Sequence, residues 1–109
     1  MSADLARAQK RLAYLESLVA SGKADSFARY ALGLEYKSQG RPDDAVRAFE
    51  ALREADPGYV PMYLMAGTLL LDGGRKDDAR GWLEAGVEAA KRAGDSKALG
   101  EIGDALARC

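Results

Sequence analysis

Histidine is missing from this chain. With it go the commonest general base, the commonest metal ligand and the one side chain that ordinarily titrates near neutrality. Cysteine occurs once, at Cys109, so no intrachain disulfide can form and no cysteine cluster can hold a metal. A disulfide-free chain fits a reducing compartment. Charge of one sign is not in excess: 16 basic residues face 17 acidic ones, the net charge is -1, and no basic block exists. This removes the counterion release that drives nucleic-acid binding and the attraction that holds a protein to an anionic membrane. Apolar runs such as Leu69-Leu70-Leu71 are too short to span a bilayer, and residues 1–15 lack the continuous apolar core of a signal peptide. The expectation is a soluble, cytoplasmic protein that is not an enzyme. It should need no cofactor and no metal, and it should bind neither nucleic acid nor membrane.

Aromatic residues are also scarce, at 7%, while alanine and leucine abound. Both are strong helix formers, and alanine lets helices approach closely. At 109 residues the chain has room for one domain and no second core.

What the sequence does have is a period. Gly40-Arg41-Pro42-Asp43-Asp44-Ala45 returns as Gly74-Arg75-Lys76-Asp77-Asp78-Ala79, 34 residues on, with five of six residues identical. The same offset carries Phe49-Glu50-Ala51-Leu52 to Leu83-Glu84-Ala85-Gly86, Gly33 to Gly67, and, backwards, Phe49 to Leu15. Within each period the apolar spacing is helical: Leu12, Leu15, Leu18 and Val19 form one stripe, and Ala45, Val46, Phe49 and Leu52 another. Gly22, Gly40, Gly73-Gly74 and Gly94 mark helix ends. Asp25-Ser26, Asp43-Asp44, Asp77-Asp78 and Asp95-Ser96 mark helix starts, where they are expected to cap free amides and oppose the helix dipole. These signals predict an all-α chain of six helices over 3–21, 25–39, 43–55, 60–73, 77–93 and 96–107.

The pattern resembles the tetratricopeptide-repeat (TPR) family, whose helix-turn-helix signature is Trp-x-x-Leu-Gly-x-x-Tyr, then Ala-x-x-x-Phe, then Pro. Leu32-Gly33-x-x-Tyr36, Ala45-x-x-x-Phe49 and Pro57 reproduce it, with Arg29 in the tryptophan position. A looser second unit has Tyr63, Ala66-Gly67, Leu70, Ala79 and Leu83, with Lys91 in place of the closing proline. The resemblance implies a right-handed superhelical solenoid of antiparallel helices in one domain, 1–109. It divides into a half-repeat helix 3–21, repeats 26–59 and 60–93, and a capping helix 96–107 in which Leu99-Gly100, Ile102 and Leu106 stand out. It also implies that Gly33 and Gly67 let paired helices touch and that Phe49 fills the gap between successive repeats.

Catalytic readings of the remaining features are weaker than structural ones. The acid pairs sit at helix starts rather than across a substrate from one another. The glycines do not follow a strand, as a phosphate loop requires. Trp82 lies one residue before the core position Leu83 and is expected to pack structurally, either partly on the outer face or across neighbouring second helices. Cys109 lacks a partner base. By resemblance, the first helix of each repeat lines a concave groove. The groove-facing residues would be Phe27, Tyr30, Leu34, Lys37 and Ser38 from one repeat and Leu64, Thr68, Leu71 and Asp72 from the next, with Lys97 and Glu101 added by the last helix. Packing within a repeat does not obviously need the apolar members of that set, which either form a binding surface or are covered by the chain's own end helices. Family members that bind chaperone tails clamp a terminal carboxylate with Lys and Asn on these helices. Tyr30 and Leu34 occupy the matching positions of the first repeat, so an apolar helix or extended segment is the expected ligand. The function expected is that of a protein–protein interaction module, an adaptor, scaffold or assembly factor. A homodimer using the same face is the alternative.

Overall fold

The computed structural model describes residues 2–109 and is all-α. Its helices are α1 (Ala3–Ala20), α2 (Ser26–Ser38), α3 (Pro42–Ala55), α4 (Pro61–Asp72), α5 (Lys76–Ala93) and α6 (Ser96–Leu106). Every boundary falls within one residue of the expected one. The chain forms two compact units, residues 2–55 with α1 to α3 and Asp56–Cys109 with α4 to α6. In the first, α2 packs against both α1 and α3. In the second, α5 packs against α4 and α6, which also touch each other.

Four turns use one device. Gly22, Gly40, Gly74 and Gly94 take positive φ values between 66° and 79°, a conformation that glycine adopts without steric cost. The residue after each donates its N–H five positions back: Lys23 to Leu18, Arg41 to Tyr36, Arg75 to Leu70 and Asp95 to Ala90, all at 2.8–2.9 Å. Carbonyls that the helix end leaves without partners are thereby satisfied.

The four helix starts marked by acids divide into two kinds, which corrects the uniform capping expected. Asp25 and Asp95 do cap, accepting from the Ala28 and Ala98 amides at 2.7 and 3.0 Å. Asp44 and Asp78 instead hold arginines. Asp44 accepts from Arg41 Nε at 2.8 Å and from Arg47, while Asp78 accepts from Arg75 Nε at 2.9 Å and Nη2 at 2.6 Å. An arginine directly after the left-handed glycine lies three residues before each of these acids, so it reaches them across the first turn. The guanidinium of Arg47, and then that of Arg41, holds the Asp44 carboxyl below its ordinary value. Acid in the first turn still complements the positive helix end.

Gly33 and Gly67 do the packing work expected of them. A Cβ on Gly33 would lie 2.6 Å from Phe49 Cζ, and one on Gly67 would lie 2.6 Å from Leu83 Cγ. Phe49 and Leu83 are fully buried. In each repeat, then, a large second-helix side chain rests directly on first-helix backbone. Trp82 is not on an outer face: it is 8% exposed, and its ring meets Tyr63 at 6.0 Å between centroids. Tyr63 donates its hydroxyl to the Pro57 carbonyl.

The last helix follows a different register from the one its Leu99-Gly100 pair suggests. Ile102 is fully buried, with its Cδ1 3.2 Å from a Cβ built on Gly86, whereas Gly100 is exposed with nothing near it. Leu99-x-x-Ile102-Gly103-x-x-Leu106 is therefore the first-helix pattern. It stands 36 residues after Tyr63-x-x-Ala66-Gly67-x-x-Leu70 rather than 34. The shift combines a longer α5, which has 18 residues where α3 has 14, with a shorter turn after it.

Polar contacts join α1 to α2. Arg11 forks onto Glu35 with both bonds at 3.3 Å, and Gln39 donates to the Ala8 carbonyl at 3.2 Å. Tyr36 donates its hydroxyl to Glu16 at 2.6 Å, beneath the Arg41 guanidinium 4.7 Å from its ring centroid. Burial, followed by the bond to Glu16, pushes the Tyr36 phenol from its ordinary 10.0 up to about 12. A raised folded-state value means the folded chain holds this proton more tightly than the unfolded one. The stabilisation is complete below pH 10 and is lost as pH rises from there through about 12. Alkaline spectrophotometric titration should show a late tyrosine step, and Tyr36→Phe should remove it. If wild type and Tyr36→Phe show the same late step, the assignment is wrong.

Candidate functional site

The residues expected to face a partner form one stripe on each of two helices. On α2, Phe27, Tyr30, Leu34 and Lys37 follow at intervals of three, four and three, which keeps them on one face. Phe27 is 69% exposed, Lys37 and Ser38 are exposed, and Tyr30 and Leu34 are half-buried. On α4, Leu64, Thr68 and Leu71 follow at four and three, and all are half-buried. The two stripes belong to different units.

The members differ in what else they do. Tyr30 sets its ring 5.8 Å from that of Phe49, tilted by 40°, so packing within the first repeat does use it. Thr68 turns its hydroxyl back to the Met65 carbonyl at 3.1 Å. Asp72 is 3.5 Å from Arg108, and Lys97 is 3.9 Å from Glu101. Phe27 is the member whose exposure the core does not explain. It sits on the second residue of α2, one turn before Tyr30 reaches Phe49. What the α2 stripe offers a ligand is aromatic and aliphatic area ending in one cation.

Two exposed apolar residues were not anticipated, Tyr14 at 63% and Leu5 at 45%, both on α1. The period could have flagged Tyr14, because it precedes the buried Trp82 by two periods of 34. Among the described residues, no group of three or more acidic or cysteine side chains is placed to hold a metal ion. No helix among them is long and apolar enough to cross a membrane.

Comparison with known proteins gives one consistent result. A family profile described as tetratricopeptide repeat matches residues 30–96. The chain is similar to the crystal structure of a tetratricopeptide repeat domain protein from Salinibacter ruber. Their identity is 38%, with 78% of this chain and 94% of that one covered, at a TM-score of 0.73. A solution structure from the same organism, also described as a tetratricopeptide repeat domain protein, agrees at 38% identity, coverage of 77% and 85%, and a TM-score of 0.72. A solution structure of a Bordetella parapertussis protein matches at 29% identity, covering 89% of this chain and 84% of that one, at a TM-score of 0.75. No curated protein matches the chain.

Proposed function

We propose, from the premise that the chain belongs to the tetratricopeptide-repeat family, that its first-helix faces bind an apolar helix or extended segment of another protein. Domains of this family are generally protein–protein interaction modules. On this reading 26–59 and 60–93 are the full repeats, flanked by half-repeat helices, and the protein serves as an adaptor or scaffold. Phe27, Tyr30, Leu34 and Lys37 form the binding stripe of α2, and Leu64, Thr68 and Leu71 that of α4, each within its own unit.

The observation that carries this is the 69% exposure of Phe27 at the head of the α2 stripe. An exposed aromatic continuous with half-buried apolar neighbours gives area that water solvates poorly, the usual mark of a docking face. Neither Tyr30 nor Leu34 supplies a positive charge for a carboxylate, so the ligand's side chains rather than its terminus would fill the stripe.

Phe27→Glu tests the proposal without touching the core. Helicity and melting should stay as in wild type. A partner captured from the native cell and then titrated directly should lose affinity by about 30-fold or more, the usual loss for an aromatic hot spot. Undiminished affinity in a folded Phe27→Glu protein would remove the stripe from consideration. Concentration-dependent association of the pure protein that Phe27→Glu abolishes would instead identify a second copy as the occupant.

A further inference from the structure

First and second helices alternate along this chain, and two of its three second helices rest on a glycine of the first helix before them. Phe49 of α3 covers Gly33 of α2, and Leu83 of α5 covers Gly67 of α4. The third second-helix, α1, carries Leu15 at the same register, 34 residues before Phe49. Leu15 is only half-buried, and its neighbour Tyr14, in register with the buried Trp82, is 63% exposed. The last first-helix shows the inverse. Gly103 of α6 stands where Gly33 and Gly67 stand, and nothing lies within 4 Å of a Cβ built there. One helix thus presents a knob without a hole, and another a hole without a knob.

We propose that copies of this chain join head to tail, with α1 of one copy docked on α6 of the next to complete a tetratricopeptide unit across the junction. The occupant is a second copy because this chain presents both halves in the register that its own repeats already use. Leu15 lies over Gly103 as Phe49 lies over Gly33, and Tyr14 gains the cover that Trp82 has. One position departs from the template. Arg11 replaces the fully buried Ala45 and Ala79, but its guanidinium is drawn aside to Glu35 at 3.3 Å. A contact of this kind is heterologous, so an open assembly keeps a free α1 at one end and a free α6 at the other, and growth continues until a ring closes.

Sedimentation velocity over a concentration series tests this with two variants on separate helices, Tyr14→Lys and Gly103→Leu. Both sites are exposed, so both variants should fold with the circular dichroism of wild type; Tyr14→Lys should melt as wild type does, and Gly103→Leu no lower, because leucine favours the helix over glycine. Wild type should grow in mass with concentration, beyond a dimer. Each variant alone should associate about 30-fold or more weakly, as expected when a central contact is lost. Mixed together, they should form a one-to-one dimer that grows no further, since each supplies the face the other lacks. The proposal is overturned if wild type stays monomeric at every concentration reached, if either folded variant assembles like wild type, or if the mixture stays monomeric. The α2 and α4 stripes are untouched in both variants, so these results are independent of Phe27→Glu.

Discussion

Phe49→Ala should destabilise the protein by roughly 3–5 kcal/mol, the usual loss for deleting a buried aromatic. Phe49 has no exposed surface, and its ring rests on Gly33 and beside Tyr30. Alanine removes both contacts and leaves a void above a residue with no side chain to fill it. Tyr30 cannot close the gap without leaving the stripe it shares with Phe27. Against a total of about 5–15 kcal/mol for a small domain, the loss is large enough to be plain in urea or thermal melts. Phe49→Leu should cost much less, because the second repeat already works with Leu83 at this position. A wild-type melt for Phe49→Ala would contradict the packing described.

The opposite error, too much volume, should be at least as damaging at Gly33. The first carbon of any side chain there falls 2.6 Å from Phe49 Cζ, well inside van der Waals contact. Gly33→Leu must therefore drive α2 away from α3, and the cooperative melt of wild type should be lost. Gly67→Leu should act likewise through Leu83. The control is Gly81, which lies in α5 with nothing within 4 Å of a built Cβ. There Gly→Ala should stabilise by about 0.5–1 kcal/mol through helix propensity alone. Combining Gly33→Ala with Phe49→Leu should cost less than the two single losses added, since each relieves the other. Near-wild-type melting of Gly33→Leu would show that the two helices do not touch there.

Helix number, helix ends and the two buried glycines could be read from the sequence because each leaves a local signal that the period repeats. A glycine followed by Arg and two acids announces a stop and a start wherever it occurs. The partners of those acids could not be read the same way. An Asp in a first turn suits a backbone amide or an arginine three residues away, and only geometry decides; it chose amides at Asp25 and Asp95 and arginines at Asp44 and Asp78. The burial of Trp82 depends on Tyr63, which no spacing rule ties to it. The bounds of the sixth helix were legible but its register was not, because the first-helix pattern returns after 36 residues rather than 34 and Gly100 offers a false match to Gly103. The candidate site was half legible. Spacing found the α2 and α4 stripes, but it could not separate Phe27, free of the core, from Tyr30, which braces it.

The glycine turns have a consequence for how such a chain can change length. From Arg41 to Gly74 the sequence opens with an arginine that ties down the next first-turn acid and closes with a left-handed glycine. Both devices bond only to residues within five positions of themselves. A duplicated copy of that 34-residue block, inserted after Gly74, would bring its own start and its own stop and leave no backbone group newly orphaned at either junction. An insertion falling within 36–44 or 70–78 would instead separate an arginine from its acid or a glycine from the helix it ends. Growth by whole blocks is thus cheap for this chain and growth by fragments is not, a bias that the turns impose before any partner selects among the products.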